Sequence, residues 1–426
     1  MQNLLLDHFL RLRKVSTDTR KIEPDSIFFA LKGENFNGNL FAKKALEMGA
    51  SFAVVDEDVD SVDSRIIRVD NVLTALQLLA RDYRRTLNIP FLAITGSNGK
   101  TTSKELIRDV LAEKYKVTAT IGNLNNHIGV PLTLLSIPAD CEIAVIEMGA
   151  NHQGEIADYC TYAEPDFALI TNIGKAHLEG FGGPEGVKKG KKELFDYVNS
   201  HNGRIFVNTD MAVLNEISMG MNRIEYGFDC ADFKLEIESE SPTISYHYTS
   251  GDVGMHVKTG LAGAYNLYNI AAAIAVGRYF KVNEEQIHKA IGEYTPGNNR
   301  SQIARTERNT LIMDAYNANP TSTENALISL AKQDSVNKFF ILGDMLELGV
   351  HGSDEHQKMV EKTRELGLNG IFIGPIYSDV IRDPNTRVFA NREMAEGFLR
   401  EHNLTDFTIL IKGSRGMQLE KLVPVL

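Results

Sequence analysis

Cysteine is scarce. Three residues in 426, Cys141, Cys160 and Cys230, are too few and too scattered for a disulfide framework or a cysteine zinc site, which points to a reducing compartment. Long apolar runs are also missing. The longest weakly polar stretch, Ile270 to Val276, falls far short of the ~20 residues that span a bilayer. The first residues, Met1 to Lys14, carry a short apolar patch broken by Asp7 and His8 and followed by Arg11 and Arg13, which is not the pattern of a signal peptide. Basic excess is absent too: 45 lysines and arginines stand against 56 acids, a net charge of -11, and general nucleic-acid binding needs a basic face. The expectation is a cytoplasmic protein with no membrane insertion and no nucleic-acid partner, and no internal repeat or low-complexity segment is visible.

What remains is an ordinary globular composition, 43% hydrophobic and 24% charged, in a chain too long for one core. Before about Pro90, strand-like runs (Ser26 to Leu31, Phe52 to Val55) alternate with helical pattern such as Phe41 to Met48, as in a small α/β unit. A larger block follows. Its apolar runs Phe91 to Ile94, Glu142 to Ile146, Phe167 to Thr171 and Arg204 to Val207 alternate with helical segments, as in an open sheet with crossover helices. Phe233 to Glu238 alternates polar and apolar residues and Thr243 to His256 is β-prone, which predicts an antiparallel patch, and a helix over Tyr265 to Phe280 brings the chain back. Thr295-Pro296-Gly297-Asn298-Asn299 is turn-rich and reads as a hinge. Beyond it, Thr310 to Met313, Phe339 to Leu342, Gly370 to Ile373 and Phe407 to Ile411 are the strands of a third α/β unit. The expected domains are 1–88, 89–298 and 299–426.

Gly96-Ser97-Asn98-Gly99-Lys100-Thr101-Thr102 lies between the run ending at Ile94 and a segment in which Leu106, Ile107, Val110 and Leu111 recur at helical spacing. Glycines there let consecutive amides converge on one oxyanion, the lysine brings a mobile positive charge, and a threonine hydroxyl can ligate magnesium. The first glycine of the general nucleotide-loop pattern would fall at Ile94, so the match is to the shorter form G-[ST]-N-G-K-T.

Glu147 closes a buried-strand pattern, where folds of this kind place a metal-binding carboxylate; alone it reads equally as a solvated rim charge. His177, in the polar loop after Ala168 to Ile173, is by itself an ordinary loop histidine. Lys188, Lys189, Lys191 and Lys192 form a basic run that is either a solvated cluster or a source of one inward-turned lysine, and spacing does not select which.

In order and spacing these segments resemble the Mur ligases, the ATP-dependent amide-forming enzymes of peptidoglycan precursor synthesis. The resemblance implies three domains: an N-terminal α/β domain that binds uridine diphosphate, a central P-loop ATPase domain with a mostly parallel sheet, and a C-terminal Rossmann-like α/β domain. It implies ATP as co-substrate and two magnesium ions. Thr101 and Glu147 would be ligands, His177 would join at a second metal site, and Lys191, placed by the Lys192-Glu193-Leu194-Phe195 that follows it, would be carbamylated and so become an oxygen ligand.

The likeness extends further along the chain. In Gly263 to Ala273, Asn269 would contact adenine; without the family, the two asparagines of this helix read as caps. Arg300 would reach the ATP phosphates, with Asn299 standing where the family usually has glycine. Asp314, at the head of Asp314-Ala315-Tyr316-Asn317-Ala318-Asn319-Pro320, would contact the ribose and draw the C-terminal domain onto the nucleotide, where a strand-to-turn motif is the structural alternative. Thr17, Asp18, Thr19 and Arg20, with Asn37-Gly38-Asn39 in place of the common Asp-Gly-His, would bind the uridine diphosphate moiety. Asn125 and Asn126 would line the muramoyl-peptide side, and Lys412, Ser414 and Arg415 would face the incoming amine substrate.

Within the family, Asp314 to Pro320, His177 to Gly182 and Gly149 to Ile156 are similar to the branch that adds D-alanyl-D-alanine to UDP-MurNAc-tripeptide, and the D-N-P-R motif of the diamino-acid-adding branch is absent. A monomer is expected. Another amide ligase of the superfamily, such as a folylpolyglutamate synthetase, and a catalytically silent nucleotide-regulated binding protein remain as alternatives.

Overall fold

The computed structural model describes residues 2–59, 63–297 and 299–426; Asn298 of the turn-rich segment lies outside the described residues. Three parallel or mostly parallel sheets follow one another along the chain. The first orders its strands Val15–Ser16, Ile27–Phe29, Phe52–Val55, Ile66–Arg68, all parallel. Side chains alternate across it. Ile27, Phe29 and Val54 face Phe9, Leu76 and Tyr83 of the helices Gln2–Leu12 and Val72–Arg84, whereas Phe28, Ala53 and Val55 face Ala42, Ala45 and Leu46 of the helix Ala42–Glu47. Asn71 starts the helix Val72–Arg84 by accepting from the Thr74 amide at 2.8 Å.

The central sheet is wholly parallel, in the order Arg223–Tyr226, Arg204–Asn208, Phe167–Ile170, Phe91–Thr95, Ile143–Glu147, Val117–Ala119. Phe91–Thr95 lies in its middle, in register with Glu147 on one side (Ile94 opposite Glu147) and Ile170 on the other (Thr95 opposite Ile170). Three loops therefore leave the same carboxyl edge together, which is where parallel α/β sheets collect ligands. The helix Lys100–Ala112 buries Leu106, Ile107, Val110 and Leu111 on this sheet and against the helix Asn266–Tyr279. The expected antiparallel patch is present as Lys234–Ser239, Ser245–Ser250 and Val253–Lys258.

The third sheet runs Gln302–Arg305, Thr310–Asp314, Thr408–Lys412, Lys338–Gly343, Asn369–Ile373, Val388–Phe389, parallel apart from the first, antiparallel pair. Every strand of the three sheets that the sequence pattern did not single out is an edge strand: Val15–Ser16, Ile66–Arg68, Val117–Ala119, Arg223–Tyr226, Gln302–Arg305 and Val388–Phe389.

The C-terminal domain docks on the central one through polar contacts. Asn319 donates to Asn98 Oδ1 at 2.6 Å, Lys175 pairs with Glu355 at 2.8 Å, and Lys332 pairs with Glu240 at 2.7 Å. Among the described residues no helix is long and apolar enough to cross a membrane.

Candidate active site

A cleft of about 1050 Å³ opens between the carboxyl edges of the central and C-terminal sheets. Its floor is the loop from Gly96 to Thr102. Gly96 has φ +145° and Gly99 has φ +77°, and a Cβ at Gly96 would lie 1.9 Å from Thr171 Oγ1. The segment after Phe167–Ile170 clasps the loop from the side. Thr171 Oγ1 donates to Asn98 O at 2.6 Å, the Asn98 amide donates to Asn172 Oδ1 at 3.0 Å, and Ser97 Oγ accepts from the Gly174 amide at 2.9 Å. The loop is thereby held open at the helix N-terminus, where amides and dipole favour a polyphosphate. Lys100 folds its ammonium onto Gly96 O at 2.8 Å, half-buried in the cleft, and desolvation pulls it down to about 8 against the opposing pull of Glu147.

Thr101 and Glu147 meet: the hydroxyl is 3.2 Å from Glu147 Oε1, which also accepts from Asn125 Nδ2 at 2.7 Å. Glu147 is 1% exposed, and among the described residues its Oε2 has no hydrogen-bond partner; the buried Lys104 ammonium forms an ion pair with it at 3.5 Å. A buried carboxylate oxygen that lacks a hydrogen bond, beside a threonine hydroxyl and a phosphate loop, is a donor set that suits an oxygen-seeking cation.

His177 starts the short helix Leu178–Phe181 in the left-handed region, φ +52°, and its Nδ1 lies 2.6 Å from Glu347 Oε2 of the C-terminal domain. Lys191 is on the buried face of the helix Pro184–Ser200, 1% exposed, one wall behind the cleft. Its Nζ reaches Ala150 O at 3.4 Å and lies over the Phe181 ring at 5.0 Å, with no carboxylate in ion-pair range among the described residues. Burial, with Lys100 adding to it, drives this amine well below the ordinary lysine range. By contrast Lys188 pairs with Glu216 at the surface and Lys192 with Asp196.

Asn269 and Asn266 are not helix caps. Both are buried in a relay in which Ser103 Oγ donates to Asn269 Oδ1 (2.9 Å), Asn269 Nδ2 to Asn266 Oδ1 (2.7 Å) and Asn266 Nδ2 to Ala262 O (2.8 Å), tying the two helices together at the cleft. Arg300 stacks on Tyr316 at 3.6 Å, and both line the cleft. Asp314 ends its strand beside Lys412, whose ammonium turns back onto Asp314 Oδ2 at 2.6 Å and is 2% exposed at the side chain. Ser414 Oγ accepts from the Leu346 amide at 2.8 Å, and Arg415, exposed along the cleft, pairs with Glu420 at 3.4 Å. Asn126 accepts from the Gly129 amide at 2.8 Å at the start of the helix Gly129–Leu135.

The N-terminal group forms a separate cluster that does not line this cleft. Asp18 accepts from the Arg20 amide and clamps the Arg20 guanidinium through both oxygens (2.9 and 2.8 Å), between Thr17 and the turn Thr19–Lys21, and Arg20 holds its carboxyl down at about 2. Asn39, 3% exposed, donates to Asp56 Oδ1 at 2.8 Å and accepts from the Asp56 amide at 3.0 Å, while Asn37 donates to Glu57 at 2.8 Å. A Cβ at Gly38 would lie 2.5 Å from Leu31 O, so the turn between them requires glycine. Asn37 and Asn39, standing where aspartate and histidine are common, thus secure the loop itself.

Reasoning from sequence missed Thr171 and Asn172, which clasp the phosphate loop, Lys104, and Glu347. Lys104 follows Lys100 by one helical turn, and Thr171-Asn172 are the polar residues at a strand's carboxyl end; both signals were present.

Three comparisons bear on this arrangement. The chain matches the Mur ligase middle domain over residues 94–277, the Mur ligase glutamate ligase domain over 299–415 and the Mur ligase family catalytic domain over 11–84. It is 34% identical to the UDP-N-acetylmuramoyl-tripeptide--D-alanyl-D-alanine ligase of Bacillus subtilis over 96% of this chain and 92% of that one. Its fold superposes on MurF from Acinetobacter baumannii with a TM-score of 0.88 at 30% identity, covering 97% of this chain and 93% of that one. On MurF ligase from Thermotoga maritima in complex with ADP the TM-score is 0.87 at 26% identity, over 98% and 97% of the two chains. The phosphate loop, the Thr101–Glu147 pair and the buried Lys191 lie in a three-domain frame matched over nearly its whole length, and the chain belongs to the Mur ligase family.

Proposed function

We propose that this chain is the ATP-dependent ligase that joins D-alanyl-D-alanine to UDP-MurNAc-tripeptide in peptidoglycan precursor synthesis. The observation that carries the reading is the likeness over 96% of the chain to a relative of that name, together with a cleft whose phosphate loop faces a second, amine-side wall. The reaction is written in two steps. A terminal carboxylate oxygen of the tripeptide attacks the γ-phosphorus of ATP and ADP leaves, giving an acyl phosphate. The dipeptide amine then attacks the acyl carbon, the C–O bond to phosphate breaks, and the amine proton is lost to solvent.

No residue of the chain needs to act as a nucleophile. Loop amides from Ser97 to Lys100 and the Lys100 ammonium neutralise charge on the transferring phosphoryl group, and Arg300 adds a second cation from the C-terminal side. The domains supply alignment: residues 1–88 hold the uridine diphosphate end through the Asp18–Arg20 and Asn37–Asn39 loops, 89–298 the nucleotide, with Asn269 at adenine, and 299–426 the ribose, through Asp314, and the amine. Thr101 and Glu147 would hold magnesium, with His177 and Lys191 at a second ion. Magnesium, when bound, neutralises phosphate oxygens as charge develops on them.

Lys191 fits the carbamate reading because it is buried without a carboxylate partner and its amine is driven toward the neutral form. A neutral amine adds to carbon dioxide, forming an N–C bond and releasing one proton, and the product is an anion beside Lys100.

Phosphate release from ATP with UDP-MurNAc-tripeptide tests the reading across an amine panel. Release with D-alanyl-D-alanine, but not with single amino acids or without amine, is the expected result. Release with a single amino acid would move the enzyme one step along the pathway, and no release with any amine would leave a silent nucleotide-binding protein.

A further inference from the structure

Glu347 is the one acidic side chain of the C-terminal domain that meets a candidate catalytic residue of the central domain among the described residues: its Oε2 lies 2.6 Å from His177 Nδ1. Both partners are non-glycine residues in the left-handed region, Glu347 at φ +64° and His177 at φ +52°. Such conformations are strained for residues with side chains, and they persist where the surroundings fix them.

The surroundings do fix Glu347. Asp344, three residues before it and fully buried, accepts from the Ile376 and Tyr377 amides at 2.9 and 3.0 Å. The Met345 amide donates to buried His356 Nε2 at 2.9 Å, and the Leu346 amide donates to Ser414 Oγ at 2.8 Å. The Glu347 carbonyl accepts from the Glu179 amide across the domain boundary at 3.3 Å. The backbone is thus held from four directions, yet the carboxylate is half exposed to the cleft, with 54% of its side chain accessible. Structural economy alone does not account for so much support behind a solvent-facing acid.

The adjoining loop, Lys412 to Gly416, leaves the neighbouring strand, Leu342 being in register with Lys412, and carries Arg415 along the same cleft, where its side chain is 62% exposed and its guanidinium holds Glu420 through a long, solvent-screened pair at 3.4 Å. One wall of the C-terminal domain therefore presents a carboxylate and a guanidinium on two loops locked together by the Leu346–Ser414 hydrogen bond. A zwitterionic dipeptide has the complementary pair of charges.

We propose that Glu347 is the binding residue for the ammonium group of the incoming dipeptide. Its carboxylate receives the amine end and brings it to the His177 side of the cleft, with Arg415 on the side of the dipeptide's own carboxylate. This rests on the ligase reading above and names a residue for its amine subsite.

The test compares Glu347→Gln and Glu347→Asp with the unsubstituted enzyme, using D-alanyl-D-alanine and, separately, hydroxylamine, an amine uncharged at neutral pH that traps an acyl phosphate as a hydroxamate without needing an ammonium site. Glu347→Gln is expected to raise KM for the dipeptide about tenfold or more, with KM for ATP and for UDP-MurNAc-tripeptide within about twofold and hydroxamate formation retained. Glu347→Asp, which keeps the charge, is expected to lose less. An unchanged dipeptide KM, or hydroxamate formation falling in parallel, would overturn the inference and leave Glu347 as a contact between domains. An unsubstituted enzyme that makes neither product would overturn the ligase reading as well, so the two failures are told apart.

Discussion

Asp314 and Lys412 are register partners on adjacent parallel strands of the C-terminal sheet, and their charged ends meet at 2.6 Å with the lysine side chain 2% exposed. The Asp314 carboxylate also accepts from the Ser301 amide at 3.2 Å, so one side chain ties the strand end to the segment that enters the domain. Replacing Asp314 with alanine leaves a buried ammonium unpaired, and the expected cost is about 3–5 kcal/mol. The double variant Asp314→Ala, Lys412→Met is expected to regain most of that stability in thermal unfolding while ATP affinity stays weakened. Stability that does not recover in the double variant would show that the pair is not what holds this edge.

Lys100 gives a pH signature. Its ammonium is held at about 8 by desolvation in the cleft, below the ordinary value of 10.5, so the fold disfavours the charged form. The cost is present in full below about pH 8 and disappears as pH rises toward 10.5, the direction expected for a lysine whose folded value is depressed. Polyphosphate reverses the preference. Nucleotide binding at about pH 8.5 is therefore expected to take up roughly half a proton or more, visible as a binding enthalpy that changes with the ionisation enthalpy of the buffer. A buffer-independent enthalpy at that pH would contradict the assignment of Lys100 to the phosphates.

The two lysines Lys191 and Lys188, three residues apart on one helix, separate the carbamate reading from a charge cluster. Lys191→Ala is expected to abolish carbon dioxide-dependent ATP turnover and the carbonyl signal of a carbamate in spectra recorded with labelled bicarbonate. Lys188→Ala removes only a surface pair with Glu216 and is expected to leave stability nearly unchanged, with turnover kept. Equal loss in both variants would place the function elsewhere.

Gly96→Ala tests the phosphate loop as a shape. The added Cβ would meet Thr171 Oγ1 at 1.9 Å, and φ +145° is closed to side-chain-bearing residues, so removing the threonine hydroxyl as well relieves only one of two obstacles. Nucleotide affinity is expected to fall at least about tenfold in Gly96→Ala and to stay low in the Gly96→Ala, Thr171→Ala double variant. Full recovery in the double variant would show that the contact, and not the backbone, sets the requirement.

The interior strands of all three sheets were legible in the sequence because each is covered on both faces and must be apolar throughout, as in Phe91 to Thr95 and Ile143 to Ile146. The edges were not. Arg223–Tyr226 and Gln302–Arg305 pack against fewer neighbours and carry charge and amide side chains that blur the pattern. In the site, Lys100, Thr101 and Glu147 were legible because loop chemistry restricts which residues can stand there. Asn269 was singled out, but its relay to Ser103 and Asn266 depends on the meeting of two helices far apart in the chain. Glu347 was invisible for the same reason: it lies 170 positions beyond His177, and nothing in its own neighbourhood distinguishes it from a surface acid.

The most direct measurement follows oxygen. UDP-MurNAc-tripeptide labelled with oxygen-18 in its terminal carboxylate is incubated with ATP and D-alanyl-D-alanine, and the released phosphate and the peptide product are analysed by mass. An acyl phosphate requires that one labelled oxygen leave in phosphate for every amide bond formed. One label per phosphate, appearing only with the dipeptide, is the predicted result. Unlabelled phosphate, with no joined product, would show that the cleft hydrolyses ATP without joining the two substrates and would contradict the ligase account.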